Sequence, residues 1–398
     1  MRILYHHRTQ AEDGQAVHIR SLQDALRAEG HVVEEVGLVA QAEARAEGER
    51  LASERSKWGW VTRAPRFVRE LAEYAYTGVA RRRLLAAARE FRPDLIYERY
   101  AFGNVGGVSA SKTLDRPLFL EVNSPMVLEL TRTRGLSFPR FAERIERHVF
   151  SESTRVCAVT GVLGDMLVEL GVDRERLIIT PNGVDLELYP GPDDADARGR
   201  AREALGLAPE SQDPEERGPV LGFVGYYRDW HRLDLAVAAL GEPGLERAEL
   251  VLIGEGPARE SLERAAKEHD VSARVHFAGR FEHHLIPGLL SAFDVALLPA
   301  INEYASPLKL HEYMAAHLPT VGPDQPNLRE VLVDGENATL TPPGDGDAFA
   351  AAVVALARDP ERRRRLGSRA RATIEERDLT WRGNARRVAA AAEQLLRT

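Results

Sequence analysis

FDVALLPAINEYASPLKLHEYMAAHLPTVGP, residues 293–323, reads as strand, loop, helix and strand in quick succession. FDVALLPA is a short and almost wholly apolar run, the pattern of a strand covered on both faces. SPLKLHEYMAAH then returns apolar residues at helical spacing, and LPTVGP resumes the strand character. Parallel neighbours need such a crossover, and a helix is the usual one. PVLGFVGYY (219–227), AELVLIGEG (248–256) and RVHFAGRF (274–281) repeat the strand pattern upstream, with helical stretches between them. The first half does the same: MRILYHH (1–7), HVVEEVG (31–37), PDLIYERY (93–100), PLFLEVN (117–123), TRVCAVT (154–160) and RLIITPNGVD (176–185). Strand–helix alternation of this kind predicts α/β architecture with doubly wound parallel sheets.

Between residues 187 and 217 the alternation lapses into proline, glycine and acidic residues, as in YPGPDDADARGR and GLAPESQDPEERGP. That stretch reads as linker or peripheral loop. The expected division is a domain over 1–186, a linker over 187–217 and a domain over 218–379. The amphipathic helix at about 380–398 is free to cross back onto the first. Two such domains would face one another across a cleft, a usual place for a ligand. The length of 398 residues suits two cores better than one.

The composition, 44% hydrophobic and 29% charged, is that of a soluble globular protein. No apolar run approaches the ~18 residues that a membrane-spanning helix requires. MRILYHHRTQ enters a strand directly without a signal-peptide pattern, so a cytoplasmic location is expected. Cys157 is the sole cysteine, which excludes an internal disulfide and a Cys-based metal site. The histidines form no H-E-x-x-H or related spacing, so no metal is expected. A net charge of −8 excludes a nucleic-acid partner. The charge is uneven, however: residues 55–92 hold ten Arg or Lys against three Glu, with Trp58, Trp60, Phe67, Tyr74 and Tyr76 among them. The plain reading is a solvated helix face. The alternative is a contact for an anionic acceptor or the inner face of a membrane.

The glycine turns exclude two large classes. MRILYHH is followed by Gly14 alone, and Gly254-Glu255-Gly256 lacks a third glycine, so no dinucleotide fingerprint follows a strand. No G-x-x-x-x-G-K-[ST] occurs either. Gly14-Gln15 still opens a helix where a ligand oxygen could approach backbone amides. In 302–317, Ser306 is read as an N-cap and Pro307 as the first helical residue, leaving amides such as those of Leu308 and Lys309 free to bind an anion. Lys309 is one of four lysines in a chain that otherwise uses arginine. Glu312 follows on the same helix face. A carboxylate there could accept from a vicinal diol, so anion and diol together suggest a nucleotide. The bland alternative is a surface Lys–Glu pair.

This turn resembles the nucleotide-binding signature of retaining glycosyltransferases of family 4, which have the GT-B fold. HIRSLQDALRAEGHVVEEVG, PLFLEVNSP, RLIITPNGVDLELYP, LVLIGEGPARESLE, VHFAGRF, FDVALLPA and LREVLVDGENATLTPPGD follow in that family's order. The resemblance implies metal-independent transfer of a hexose-type sugar from a nucleoside diphosphate, UDP or GDP, to a hydroxyl acceptor. That acceptor would be a glycan, a lipid-linked glycan or a small molecule, and no cofactor would be needed. It places the donor on the C-terminal domain, with the diphosphate held by Lys309 and Arg228 beside Gly225, and the ribose on Glu312. Arg280 and Phe281 would meet the base. Asn123 would orient the sugar, standing where many members have a histidine. Gly14 and Gln15 would line the donor, and His6, His7, Arg8 and Arg99 the acceptor side. The family's pair of glutamates is broken here: Tyr304 stands eight residues before Glu312, and Glu303 is one residue out of register. Where members carry Arg and Lys after the first glycine of this domain, the chain has Tyr226 and His231. The shared two-domain architecture keeps open a nucleotide-sugar 2-epimerase, and the shifted glutamate register a non-catalytic glycosyltransferase-like subunit.

Overall fold

The computed structural model describes residues 1–9, 14–37, 65–210 and 218–397. Trp58 and Trp60 lie outside these, so the basic segment is described from residue 65 onward. Contacts divide the chain into two compact units, Met1–Pro181 with Trp381–Thr398, and Asn182–Thr380.

The N-terminal unit is built on β1 (Arg2–His6), β2 (Val32–Val36), β3 (Leu95–Arg99), β4 (Leu118–Val122), β5 (Arg155–Ala158) and β6 (Leu177–Ile179). They form one parallel sheet in the order β2-β1-β3-β4-β5-β6. All five residues of β4 are buried, as expected of a central strand covered by helices on both faces. The C-terminal helix Trp381–Leu396 packs against the first helix, Gly14–Ala28. Trp381 meets His18 edge-on at 4.9 Å between centroids, and Asn384 donates to the Pro181 carbonyl.

The C-terminal unit holds β7 (Val220–Val224), β8 (Glu249–Ile253), β9 (Val275–Gly279), β10 (Val295–Leu297), β11 (Thr320–Pro323) and β12 (Thr339–Thr341). Their order is β12-β11-β10-β7-β8-β9, again all parallel. The chain therefore winds outward in two directions from the β7/β10 boundary. Ligands of open α/β sheets bind beyond the carboxyl ends of strands at such a switch point.

The stretch expected as linker belongs to this unit. Asp194 caps a helix over Ala195–Ala204 by accepting from the Ala197 amide, and Ala201, Leu205 and Leu207 pack with Val220, Ile253 and Tyr313. Spaced alanines under a capping aspartate outweigh the surrounding prolines. Residues 182–186 are likewise tied here: Val184 bridges Thr380 and packs on Leu298 and Leu310. β12 escaped the reading of the sequence because three residues of Thr-Leu-Thr carry too little apolar pattern to stand out.

Candidate functional site

The helix Leu308–Ala315 is fixed at the β7/β10 switch point by its own buried face. Tyr313 is fully buried and its hydroxyl accepts from the Val224 amide at 2.8 Å, tying the helix to the end of β7. Leu310, Met314 and Ala315 enter a cluster with Leu298, Leu328 and Ile374. The expected capping is corrected here: Pro307, not Ser306, is the N-cap, and no side chain caps the helix. Ser306 Oγ instead accepts from the Asn182 amide at 3.0 Å, and the Asn182 side chain donates to the Ser306 carbonyl. Proline in extended conformation at the cap leaves Ser306 one residue too early to reach the helix amides. The consequence for an anion is unchanged. Among the described residues the Leu308 and Lys309 amides find no backbone acceptor, whereas the Leu310 amide bonds the Pro307 carbonyl.

Lys309 lies over β7. Its Nζ is 3.8 Å from the centroid of the fully buried Phe223 ring. Gly225 has φ 141, and a Cβ built there would come within 2.7 Å of Nζ, so only glycine leaves the ammonium its place. No group among the described residues accepts a hydrogen bond from this ammonium. Burial lowers its pKa to about 7, and the nearby Glu312 charge only partly opposes that. Next to it, His231 is buried, packs edge-on against Phe223 at 5.3 Å and against Trp230 at 3.9 Å, and leaves Nδ1 without a partner. Burial and then the Lys309 charge push its pKa down to about 3; Arg228 adds to this, while a hydrogen bond to the Tyr226 backbone works against it. The position where the resemblance implies a lysine thus holds a neutral imidazole.

Glu312 is buried, and His283 Nε2 sits 2.6 Å from its Oε1. Reading the sequence missed this pairing, because His283 follows β9, and nothing local marks it as a partner of a residue 29 positions on. Arg228 is exposed, with its guanidinium 4.9 Å over the exposed Tyr226 ring. Arg280 is exposed and lies 4.0 Å from Glu255. Phe281 packs partly buried against the cluster of Val220, Ile253 and Leu289. Glu303 is exposed on a loop that Asn327 clamps through the Asn302 and Ala305 carbonyls at 3.0 and 2.8 Å. Tyr304 turns into the core, 7% exposed. The shifted register is therefore built in: a side chain at the Tyr304 position points away from solvent.

The remaining candidates lie in the N-terminal unit. His6 and His7 are buried, each against a carboxylate: His6 Nδ1 is 2.6 Å from Glu98, and His7 Nε2 is 3.0 Å from Glu35. Arg8 pairs with Glu73 and lies over the Tyr76 ring. Gly14 begins its helix with nothing within 4 Å of a built Cβ, and Gln15 beside it is exposed. Arg99 and Asn123 converge on Glu121, a residue that the sequence did not single out. Glu121 accepts from Arg99 Nη1, from Asn123 Nδ2 at 2.6 Å, and from the hydroxyls of Tyr97 and Tyr5 at 3.1 and 3.3 Å. His18 Nε2 completes the ring at 3.2 Å. Burial alone would raise the Glu121 pKa, but His18 and Arg99 hold it well below the usual carboxylate range. A glutamate inside the apolar run LFLEV was the available signal, since a buried charge demands partners.

Among the described residues no three His, Cys, Asp or Glu side chains are grouped to hold a metal ion. None of their helices is long and apolar enough to cross a membrane.

Residues 218–359 match the model for glycosyl transferases group 1, and residues 13–188 that for glycosyltransferase family 4. The chain is 30% identical over 288 residues to a D-inositol 3-phosphate glycosyltransferase of Xylanimonas cellulosilytica, covering 70% of this chain and 67% of that protein. It is 32% identical over 295 residues to the Nocardia farcinica protein of the same name, covering 70% and 61%. The matched part thus spans about two thirds of these relatives. Among solved structures, sucrose-phosphate synthase from Thermosynechococcus elongatus superposes with a TM-score of 0.74 at 18% identity, over 100% and 99% of the two chains. Anabaena HepE in complex with UDP superposes at 0.70 and 17%, over 99% and 100%. At such identities these structures speak for the fold. Together with the family matches they define a glycosyltransferase of the GT-B fold. The chain belongs to glycosyltransferase family 4.

Proposed function

We propose that the chain moves a hexose-type sugar from UDP- or GDP-sugar to a hydroxyl acceptor, with retention at the anomeric carbon and without a metal ion or other cofactor. The observation that carries this is Lys309: a partly buried ammonium with no acceptor among the described residues, at the amide end of a helix and at the sheet's switch point. Breaking the sugar–phosphate bond leaves charge on the diphosphate oxygens. Free amides and a cation placed there beforehand stabilise that charge as it grows. Arg228 supplies a second charge from the loop after Gly225. Glu312 receives the ribose diol, and Arg280 and Phe281 border the base. Glu303 and Asn123 contact the sugar, while Gly14 and Gln15 give backbone amides to the donor. The acceptor is assigned to the His6, His7, Arg8 and Arg99 side, and relatives named for inositol phosphate and 2-deoxystreptamine support a polyol. The same reading places the protein in the cytoplasm, at the inner membrane face when the acceptor is lipid-linked.

The deciding experiment is a thermal-shift screen against UDP-, GDP- and ADP-sugars, because a ligand that binds the folded state stabilises it by mass action. UDP or GDP compounds should raise Tm. Product NMR should then show the donor's anomeric configuration, with turnover unchanged by EDTA. No shift with any nucleotide sugar would overturn the donor assignment, and an inverted product the stereochemistry.

A further inference from the structure

The helix Arg66–Phe91, the loop at 134–138 and the start of the helix Pro139–Glu152 build a surface in the N-terminal unit to which the proposed sugar transfer assigns no role. Glu70 is buried and draws the loop onto the helix. Its Oε2 accepts from the Ser137 amide at 2.6 Å, and its Oε1 from the Phe138 amide at 3.0 Å and the Tyr74 hydroxyl at 2.9 Å. Tyr74 in turn meets Phe141 edge-on at 4.9 Å. This packing leaves four large apolar side chains outside. Phe67 and Leu71, one helical turn apart, are each 50% exposed, Phe138 is 39% exposed and Phe141 51%. These four stand on two segments that the Glu70 hydrogen bonds hold together.

Beside them lies a small, partly open depression lined by Arg66, Arg69, Glu70, Arg134, Gly135 and Leu136. Gly135, at φ 70, packs so closely that a built Cβ would come 2.8 Å from Arg66 Nη1. None of the three guanidiniums has an ion-pair partner among the described residues, and Arg69 Nε is buried with no acceptor. Glu70 shares the wall, but its oxygens are already occupied. Three cations against one carboxylate leave the pocket positive. A buried guanidinium N–H without an acceptor is costly, and phosphate oxygens match its fork.

We propose that this surface docks on an anionic phospholipid bilayer, with Arg66, Arg69 and Arg134 taking a lipid phosphate and Phe67, Leu71, Phe138 and Phe141 entering the acyl boundary. The proposal deepens the membrane-face location given above and is independent of the donor assignment. Charge complementarity selects the occupant: a chain of net charge −8 approaches an anionic surface only through a local cationic face. Aromatic side chains beside arginines are the matching apolar contact.

The test is co-sedimentation of the full chain with phosphatidylcholine vesicles, with and without phosphatidylglycerol. Partition onto the anionic vesicles should be at least roughly tenfold stronger at low salt, and most of that gain should vanish in high salt. Arg69→Gln with Arg134→Gln should lose roughly tenfold or more of it, given what each basic side chain contributes at an anionic surface. Phe138→Ser with Phe141→Ser should remove the binding that survives salt. Both pairs should melt like the parent and titrate UDP unchanged, which separates a docking role from folding. Equal binding to both vesicle types, or binding untouched by both pairs, overturns the proposal. So does a Tm rise with inorganic phosphate that depends on Arg69 in a chain that binds no vesicles, since that marks a soluble-anion site. A chain that binds vesicles but no nucleotide overturns the donor assignment and leaves this surface standing.

Discussion

Glu121, near the carboxyl end of β4, is fully buried and Lys309, on the helix after β10, is partly so, and their surroundings differ in kind. Glu121 is enclosed by Arg99, His18, Asn123 and two tyrosine hydroxyls, and the chain supplies every partner itself. Lys309 has an aromatic face, a glycine and a neutral histidine for neighbours, and Glu312, the carboxylate on its own helix, is already bonded to His283. A buried charge with its partners belongs to the fold. One without them is held for something that arrives. The two residues should therefore fail differently when removed.

The largest effect is expected at Glu121. Deleting one member of a buried ion network strands the others, at a cost of about 3–5 kcal/mol. Glu121→Ala should lose that much in urea unfolding, and Glu121→Gln less, because an amide keeps part of the hydrogen bonding. A loss below about 1 kcal/mol would be that of a surface pair and would end the contrast. Next in size is Lys309→Met, with the opposite signature. Removing a group that meets developing charge typically costs a factor of about 10²–10³ in kcat. Unfolding stability should hold or rise, since a partly dehydrated cation with no acceptor among the described residues is lost. Equal losses in stability and turnover would mean that Lys309 is structural.

Titration sharpens the same contrast. Lys309 has a folded pKa of about 7, below its ordinary 10.5, so between those values the unfolded chain binds the extra proton. Stability from this group should rise as pH increases from 7 to 10.5. Nucleoside diphosphate should bind with proton uptake over the same range, because the anion favours the ammonium. His231 is lowered from 6.5 to about 3, so its contribution is lost as pH falls between those values, and His231→Phe should remove that acid-labile part. Glu121, held below its ordinary 4.5, also contributes stability that disappears on acidification, but below 4.5. Calorimetry across pH in the two variants separates these contributions; a Lys309→Met profile identical to that of the parent above pH 7 would refute the assignment.

These distinctions also mark how far the sequence could be read. Apolar runs of five residues announce strands such as LFLEV and ELVLI without help, and the alternation of strand and helix was enough to predict two parallel sheets. The helix at 308–315 and its Lys309 and Glu312 were legible because proline, lysine and glutamate stand within one local turn. Ser306 was misplaced because its cap role depends on the φ and ψ of Pro307, and its actual partner, Asn182, lies 124 positions away. Phe223, His283 and Glu121 were missed for the same reason: each matters through a contact distant in sequence. The helix at 195–204 shows the reverse error, a local composition of loop residues overruled by one capping aspartate and two alanines, Ala197 and Ala201, facing the core.

The smallest expected effect is the most discriminating for the C-terminal site. His283 is exposed, although Glu312 is buried, so losing this one bond through His283→Ala should cost no more than about 1 kcal/mol in the free protein. If Glu312 receives the ribose, the hydroxyls of a bound nucleotide supply new hydrogen bonds to the same carboxylate. The loss should then shrink when parent and variant are melted in saturating UDP. It should reappear in 2′,3′-dideoxy-UDP, which keeps the diphosphate and lacks the diol. A deficit of the same size under all three conditions would mean that the carboxylate answers to His283 alone, and Glu312 would then join Glu121 among the charges that the fold keeps for itself.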